Sequence, residues 1–146
     1  MVVSHFLRWI CTARVSERAA AANALARAYV NSDLPFEDRC AAEAALTLLL
    51  DDASSKVRLA MADALSMSHY APLQIISALA SDQPEVAGVV LARSPLLTDA
   101  DLSNRVASSA KVTQKVIADR PIVSIALSAG KRACGRSLRW SVPTRC

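Results

Sequence analysis

Glycine is scarce in this sequence, and its scarcity excludes several classes of function. The 146 residues include only three glycines, Gly88, Gly130 and Gly135. A phosphate-binding loop, a dinucleotide-binding fingerprint and the nucleophile turn of the hydrolases each need glycines at fixed short spacings. Glycines this far apart form none of these motifs. Abundant alanine and leucine favour helices along the whole chain.

Metal-binding and catalytic signatures are also missing. The histidines, His5 and His69, stand alone, and the cysteines are widely spaced with no C-x-x-C pair among them (Cys11, Cys40, Cys134 and Cys146). The sequence therefore indicates neither a zinc site nor a disulfide framework. We expect a protein that is not an enzyme and that holds no metal or cofactor.

No apolar run reaches the length of a membrane span. Arg8 interrupts the apolar N-terminal stretch, and Glu43 interrupts the alanine–leucine stretch further on. A transmembrane helix needs about 20 consecutive apolar residues. Since no disulfide pattern points to an oxidising compartment either, the sequence predicts a cytoplasmic protein that does not enter a membrane.

The positive charge of the chain is concentrated at its C-terminal end. Of the 17 lysines and arginines, five lie in residues 131–146, which contain no acid, while the other 12 accompany all 13 acids in residues 1–130. We therefore expect a nearly neutral helical domain over 1–130 and an irregular basic tail over 131–146. The tail is compatible with an unstructured terminus, with a peptide that binds an acidic partner or nucleic acid, and with an unrelated sequence that follows a truncated array. We expect the first of these.

A helix–turn–helix pattern is centred on residues 46–66. Leucines close the first helix, and a polar turn follows in which Ser54 or Ser55 is placed to cap the second helix. Val57, Met61 and Leu65 then lie on one face of that helix because they are four residues apart.

The pattern recurs twice downstream, which predicts a stack of helical hairpins. Each copy keeps two apolar side chains four residues apart (Val57 and Met61, Val86 and Val90, Val112 and Val116). Helices this short bury their apolar faces against neighbouring repeats. Asp82 and Glu85 are spaced as a capping box at the start of the second copy. An irregular helical bundle is the alternative architecture.

The remaining helices are predicted from caps and prolines, and they bring the total to about eight or nine. In the first, the spacing of Phe6, Trp9 and Ile10 predicts a shared face. The others begin at Ser16, at Pro35, at Pro72, at a capping box from Thr98 to Asp101, and in a last hairpin over 112–120 and 122–129.

The helix after Pro35 carries an apolar stripe that we expect to be buried. Phe36, Cys40, Ala44 and Leu48 follow one another at intervals of four residues. This interpretation makes Cys40 an inert core thiol and not a nucleophile, since no histidine lies near it in the sequence.

The central motif resembles the second half of a HEAT repeat, through Asp52, Val57, Arg58, Ala62 and Leu65. In that family an aspartate in the turn and an arginine at the start of the second helix commonly pair in a ladder along the stack. The resemblance implies this structural role for Asp52 and Arg58. The second copy departs from the pattern, since alanine and glycine at positions 87 and 88 stand where the arginine is expected.

A longer resemblance covers roughly residues 15–130. Over this range the sequence is similar to an uncharacterised bacterial HEAT-like family, domain of unknown function 2336. The matching residues, in order, are Leu79-Ala80-Ser81-Asp82, Val86-Ala87, Val90-Leu91, Ser94-Pro95-Leu96-Leu97, Asp99, Asp101-Leu102, Ile117-Ala118 and Arg120. The resemblance implies an all-α fold, an α-α superhelix built as a right-handed solenoid, and no established activity.

Protein binding is the function that these features favour. Helical stacks expose extended surfaces, so we expect a non-enzymatic scaffold for an unidentified protein partner. The candidate interaction surface includes Arg58, Arg93 and Arg120. Nucleic-acid binding through the basic tail and these arginines is the alternative, although the nearly neutral repeats disfavour it. An uncapped C-terminal hairpin also predicts self-association.

Overall fold

The computed structural model describes residues 2–108 and 111–120. Within these ranges the chain forms eight α-helices and no strand, which confirms the predicted all-α class. The helices are α1 (Val2–Thr12), α2 (Val15–Asn31), α3 (Phe36–Leu49), α4 (Ser55–Leu65), α5 (Leu73–Ala80), α6 (Pro84–Arg93), α7 (Asp99–Ser108) and α8 (Lys111–Ala118). The helix predicted over 122–129 and the tail over 131–146 lie outside the described residues.

Proline and capping chemistry set several of the predicted helix starts. Pro35 and Pro72 immediately precede α3 and α5, and Pro84 is the first residue of α6, where a missing N–H leaves no bond unmade. Thr98 and Asp101 form the predicted capping box of α7. The Thr98 N–H donates to Asp101 Oδ2 at 3.0 Å, and the Asp101 N–H donates to Thr98 Oγ1 at 3.2 Å.

Two predicted caps are wrong. Ser16 lies inside α2, where Glu17 accepts a 3.0 Å hydrogen bond from the N–H of Arg14, the residue that flanks the helix. Asp82 makes no capping box with Glu85, because its carboxylate accepts from the Gln83 N–H and pairs with an arginine of another helix. Ser54 flanks α4 as expected, but its side chain makes no capping hydrogen bond.

The even-numbered helices form one row, in which α2 packs on α4, α4 on α6, and α6 on α8. Contacts between their ends show that they run parallel. Arg18, in the first turn of α2, bonds Asp52 just before α4, while Arg120, just after α8, bonds Ser94 just after α6. The row therefore has an N-terminal end and a C-terminal end, and α3, α5 and α7 pack beside it.

The contact between α2 and α4 is built from small side chains. Ala22 and Ala26 of α2 and Ala62 of α4 are fully buried. The separation of two packed helices depends on the side chains between them, so alanines allow a close approach. Asn23 consequently reaches the backbone of α4, and its Nδ2 donates to the Ala60 carbonyl at 3.0 Å.

The first two copies of the predicted repeat bury the expected residues, but the third does not. The pairs Val57 with Met61 and Val86 with Val90 are fully buried. In α8 the side chain of Val112 is 66% exposed, and Thr113 and Ile117 are buried instead. The predicted equivalence of Val112 is therefore wrong by one residue, which is a rotation of about 100° around the helix.

The stripe predicted for the core on α3 is also wrong. Phe36 is 81% exposed, Leu48 is 46% exposed, and Cys40 and Ala44 lie at the surface. The buried face of α3 consists of other residues, Ala42, Ala45, Leu46 and Leu49. At about 100° per residue, this face lies nearly opposite the predicted one. Cys40 is therefore an exposed thiol and not a core thiol.

The first helix packs as a partly covered end element. Phe6 and Ile10 pack against the core, and the rings of Phe6 and Trp9 stack with their centroids 6.1 Å apart. Trp9 stays partly exposed. None of the helices in the described residues is long and apolar enough to cross a membrane.

Candidate functional site

Two arginine–aspartate pairs join successive even helices at the N-terminal end of the row. Arg18 donates from Nε to Asp52 Oδ2 at 2.8 Å and from Nη2 to Oδ1 at 3.1 Å. Arg58 donates from Nε to Asp82 Oδ2 at 2.5 Å and from Nη2 to Oδ1 at 3.1 Å. Both contacts are bidentate, which is the geometry that a planar guanidinium and a carboxylate prefer.

Each of these arginines also holds the turn before its own helix. Nη1 of Arg18 donates to the Ala13 carbonyl at 2.8 Å, and Nη1 of Arg58 donates to the backbone carbonyl of Asp52. Both arginines are the fourth residue of their helix. One side chain thus ties together the start of its own helix, the turn before it and the turn before the next even helix.

The electrostatics of Asp52 fit this role. Burial acts to raise the pKa of its carboxyl group, but hydrogen bonds from Arg18 and from the Ser54 N–H outweigh it and hold the pKa below its usual value. The same hydrogen bond to Asp52 raises the pKa of Arg18. Asp52 is therefore a carboxylate whose charged form is stabilised by the fold.

No equivalent arginine–aspartate pair joins α6 to α8 in the described residues, because the sequence has neither the arginine nor the acid at the corresponding positions. The fourth residue of α6 is Ala87, and the sequence before α8, residues 107–110, contains no acid. Arg120 joins α6 to α8 at the other end of the row instead. It donates to the carbonyls of Leu91 at 2.5 Å and Ser94 at 2.7 Å, near the end of α6, where helix carbonyls lack intrahelical partners.

The predicted ladder residues, Asp52 and Arg58, thus lie in adjacent pairs. Arg58 contacts the backbone of Asp52, and its carboxylate partner is Asp82. The carboxylate of Asp52 binds Arg18, which the sequence reasoning missed. The signal for Arg18 was its place in the first turn of a helix, the same place that Arg58 has in α4.

The three arginines of the predicted interaction surface have different surroundings. Arg58 is bound in its ion pair with Asp82. Arg120 is half-buried, and its burial lowers the pKa of the guanidinium, although the negative charge of Asp99 acts to raise it. Arg93 is the exposed one of the three. Its side chain is 52% exposed and lies 3.5 Å from Asp63, which is equally exposed, and such surface pairs contribute little to stability.

A smaller polar cluster joins α2 to α3. The hydroxyl of Tyr29 donates to Glu43 Oε2 at 3.2 Å, and the guanidinium of Arg39 lies 4.8 Å from the centre of the Tyr29 ring. Burial and the nearby charge of Glu43 raise the pKa of the phenol. The groups of this cluster contact one another between two packed helices, which is a structural arrangement.

Neither a metal-binding cluster nor an orphaned polar group occurs in the part of the chain that the structure describes. No group of three histidine, cysteine or acidic side chains there is arranged to hold a metal ion. Every buried side-chain nitrogen or oxygen there has a hydrogen-bond partner.

The helix α3 carries an exposed apolar stripe. Its members are Phe36, Cys40, Ala44 and Leu48, and they run along the helix from its first residue nearly to its last. Clustered exposed apolar side chains commonly mark a place where another protein binds. We refer to these four residues as the α3 stripe.

Comparison with known proteins gave no match, whether with family models, with curated proteins or with solved structures.

Proposed function

We propose that this chain is a non-enzymatic helical scaffold that binds another protein through the α3 stripe. The proposal includes the architecture that the HEAT resemblance implies, a right-handed α-α superhelix of stacked hairpins. The parallel row of even helices and the arginine pairs between neighbouring helices support it. In such stacks each repeat contacts its neighbours and an extended face stays open for a partner.

The observation that carries the proposal is the exposure of the α3 stripe. Phe36 and Leu48 are large apolar side chains at opposite ends of one helix, with the small exposed residues Cys40 and Ala44 between them. A surface helix normally turns its apolar face to the core and its polar face to water. Since α3 also has a buried apolar face, the stripe is a second one, and it suits the helix-in-groove type of contact.

Ala44→Arg tests the proposed surface. Ala44 is exposed at the middle of the stripe, so the added side chain is compatible with the fold and blocks close approach of a partner. We expect proteins captured from native cells by the parent chain to be lost with this variant, as measured by quantitative mass spectrometry.

Ala24→Arg is the matched control, because Ala24 is an exposed alanine in the neighbouring helix α2. We expect it to retain the captured proteins, and circular dichroism should show that both variants are folded. Retention with Ala44→Arg together with loss for Ala24→Arg would move the surface to α2 and contradict the proposal.

Nucleic-acid binding through the basic tail and the three arginines stays a prediction, because residues 131–146 lie outside the described residues. Arg58 and Arg120 are engaged with protein groups, which leaves Arg93 as the exposed member of the predicted set. Self-association through the C-terminal hairpin stays a prediction, since the second helix of that hairpin lies outside the described residues.

A further inference from the structure

The C-terminal end of the row carries an apolar surface between two acidic ones. The loop between α4 and α5 lies at this end. Met67 and Tyr70 in the loop are exposed, and so is Leu73 at the start of α5. The connections on either side lead into first turns with exposed acids: Asp33, Glu37 and Asp38 around the start of α3, and Asp99 and Asp101 at the start of α7.

Positive charges offset part of these acids: Arg120 acts on Asp99, Arg105 acts on Asp101, and Arg27 is exposed near the end of α2. The other arginines near this end are engaged elsewhere. Arg39 lies over the ring of Tyr29, and Arg93 reaches Asp63. Arg120 itself is turned inward to the carbonyls of Leu91 and Ser94. A segment that suits this end of the row therefore has apolar side chains flanked by positive ones.

The chain itself contains such a segment. Residues 131–146 hold five lysines and arginines and no acid. The segment also contains a short apolar group, Leu138, Trp140 and Val142. Three of the basic residues precede this group, one lies within it and one follows it. The order of charges and apolar groups thus complements that of the surface.

The segment also starts from the right place. Arg120 contacts the end of α6, so the residues that follow it begin at the C-terminal end of the row. Neighbouring packed helices lie about 10 Å apart, which puts the end of α4 about 20 Å from the end of α8. Residues 121–137 precede the apolar group of the tail. The eight residues of the predicted helix over 122–129 span about 12 Å, and the other nine reach up to roughly 30 Å when extended, so they suffice for this distance.

We propose that residues 131–146 bind to the surface formed by Met67, Tyr70 and Leu73 of the same chain, with Trp140 in the contact. A short connecting segment gives the tail an effective concentration on the order of 1 mM. A contact with a Kd of about 0.1 mM is then occupied roughly nine-tenths of the time. The contact covers the C-terminal end of the row, so other basic partners cannot bind there. It leaves Cys40, Ala44 and Leu48 of the α3 stripe exposed.

Quenching of Trp140 fluorescence by acrylamide tests the contact in the full chain. The protein contains two tryptophans, so Trp9→Phe leaves Trp140 as the single reporter. We expect Trp140 to be protected relative to a synthetic peptide of residues 131–146. In Met67→Ser/Tyr70→Ser the quenching constant should rise to that of the peptide, and Glu37→Lys/Asp38→Lys should raise it in part.

Val112→Ser is the matched control, because Val112 is an exposed apolar residue at the opposite end of the row. Protection that survives this control and does not change on dilution supports the proposal. Quenching like that of the peptide in the parent chain, or no effect of Met67→Ser/Tyr70→Ser, would overturn it. Protection that disappears on dilution would also overturn it, by assigning the tail to a second copy of the chain.

Discussion

An arginine at the fourth position of α2, and another at the fourth position of α4, each join two successive even helices. Arg18 and Arg58 each bind a carboxylate in the turn before the next even helix and a carbonyl in the turn before their own. The sequence revealed Arg58 because Asp52 precedes it in a recognisable turn. Arg18 was missed because no aspartate precedes it and because the two pairs join residues 34 and 24 positions apart, so no fixed spacing marks them.

At the scale of one residue, Asp52→Asn should change the response of stability to pH. The pKa of Asp52 is lowered in the folded chain, so its carboxylate contributes stability above the unfolded pKa of about 3.9, and this contribution is lost as the pH falls through the folded pKa. We expect the variant to lose about 1–3 kcal/mol of unfolding free energy at neutral pH and to lose less than the parent between pH 5 and pH 2. Urea denaturation at neutral pH and at steps from pH 5 to pH 2 measures both effects.

Asp51→Asn is the control for this change, since Asp51 is an exposed acid in the same turn. It should behave like the parent at every pH. A parallel pH response of the parent and Asp52→Asn would show that the Arg18–Asp52 pair carries none of the acid sensitivity.

At the scale of one helix, the sequence predicted where helices begin more reliably than which face they bury. In α8 two overlapping pairs, Val112 with Val116 and Thr113 with Ile117, have the same spacing, and periodicity alone does not separate them. Packing decides between them. Val116 lies over Gly88, with its Cγ2 3.9 Å from the position that a Cβ would take there, and this register buries Ile117.

The buried face of α3 differs from the predicted one for a related reason. This helix has one apolar face of alanine and leucine and a second one in the α3 stripe, and the sequence offers no rule for choosing between two apolar faces. Packing makes the choice: α3 contacts α2 and α4 and buries its small residues Ala42 and Ala45.

Ile117→Ala and Val112→Ala distinguish the two registers of α8. Ile117 is fully buried, and removing its side chain should cost about 2–5 kcal/mol of unfolding free energy. Val112 is largely exposed, so its replacement should stay within about 0.5 kcal/mol of the parent. The midpoints of chemical denaturation give the comparison, and a larger loss for Val112→Ala would restore the register expected from the sequence.

For the whole molecule, the sequence was sufficient for the all-α class and for most helix starts, because prolines and a capping box are local signals. The parallel row of even helices depends on contacts between distant residues, such as Arg18 with Asp52 and Arg120 with Ser94. Repetition suggested that row without showing which residues join its helices. The candidate surfaces were hardest to predict, since exposure depends on which face each helix buries.

The central claim is that α2, α4, α6 and α8 follow one another in a row and do not close into a bundle. Double electron–electron resonance measures this directly, with spin labels at exposed positions Arg27 of α2, Arg93 of α6 and Lys115 of α8, and with the native cysteines replaced by serine. Steps of about 10 Å between packed helices predict roughly 20 Å from α2 to α6 and roughly 30 Å from α2 to α8. A distance from α2 to α8 that equals or falls below the distance from α2 to α6 would contradict the row.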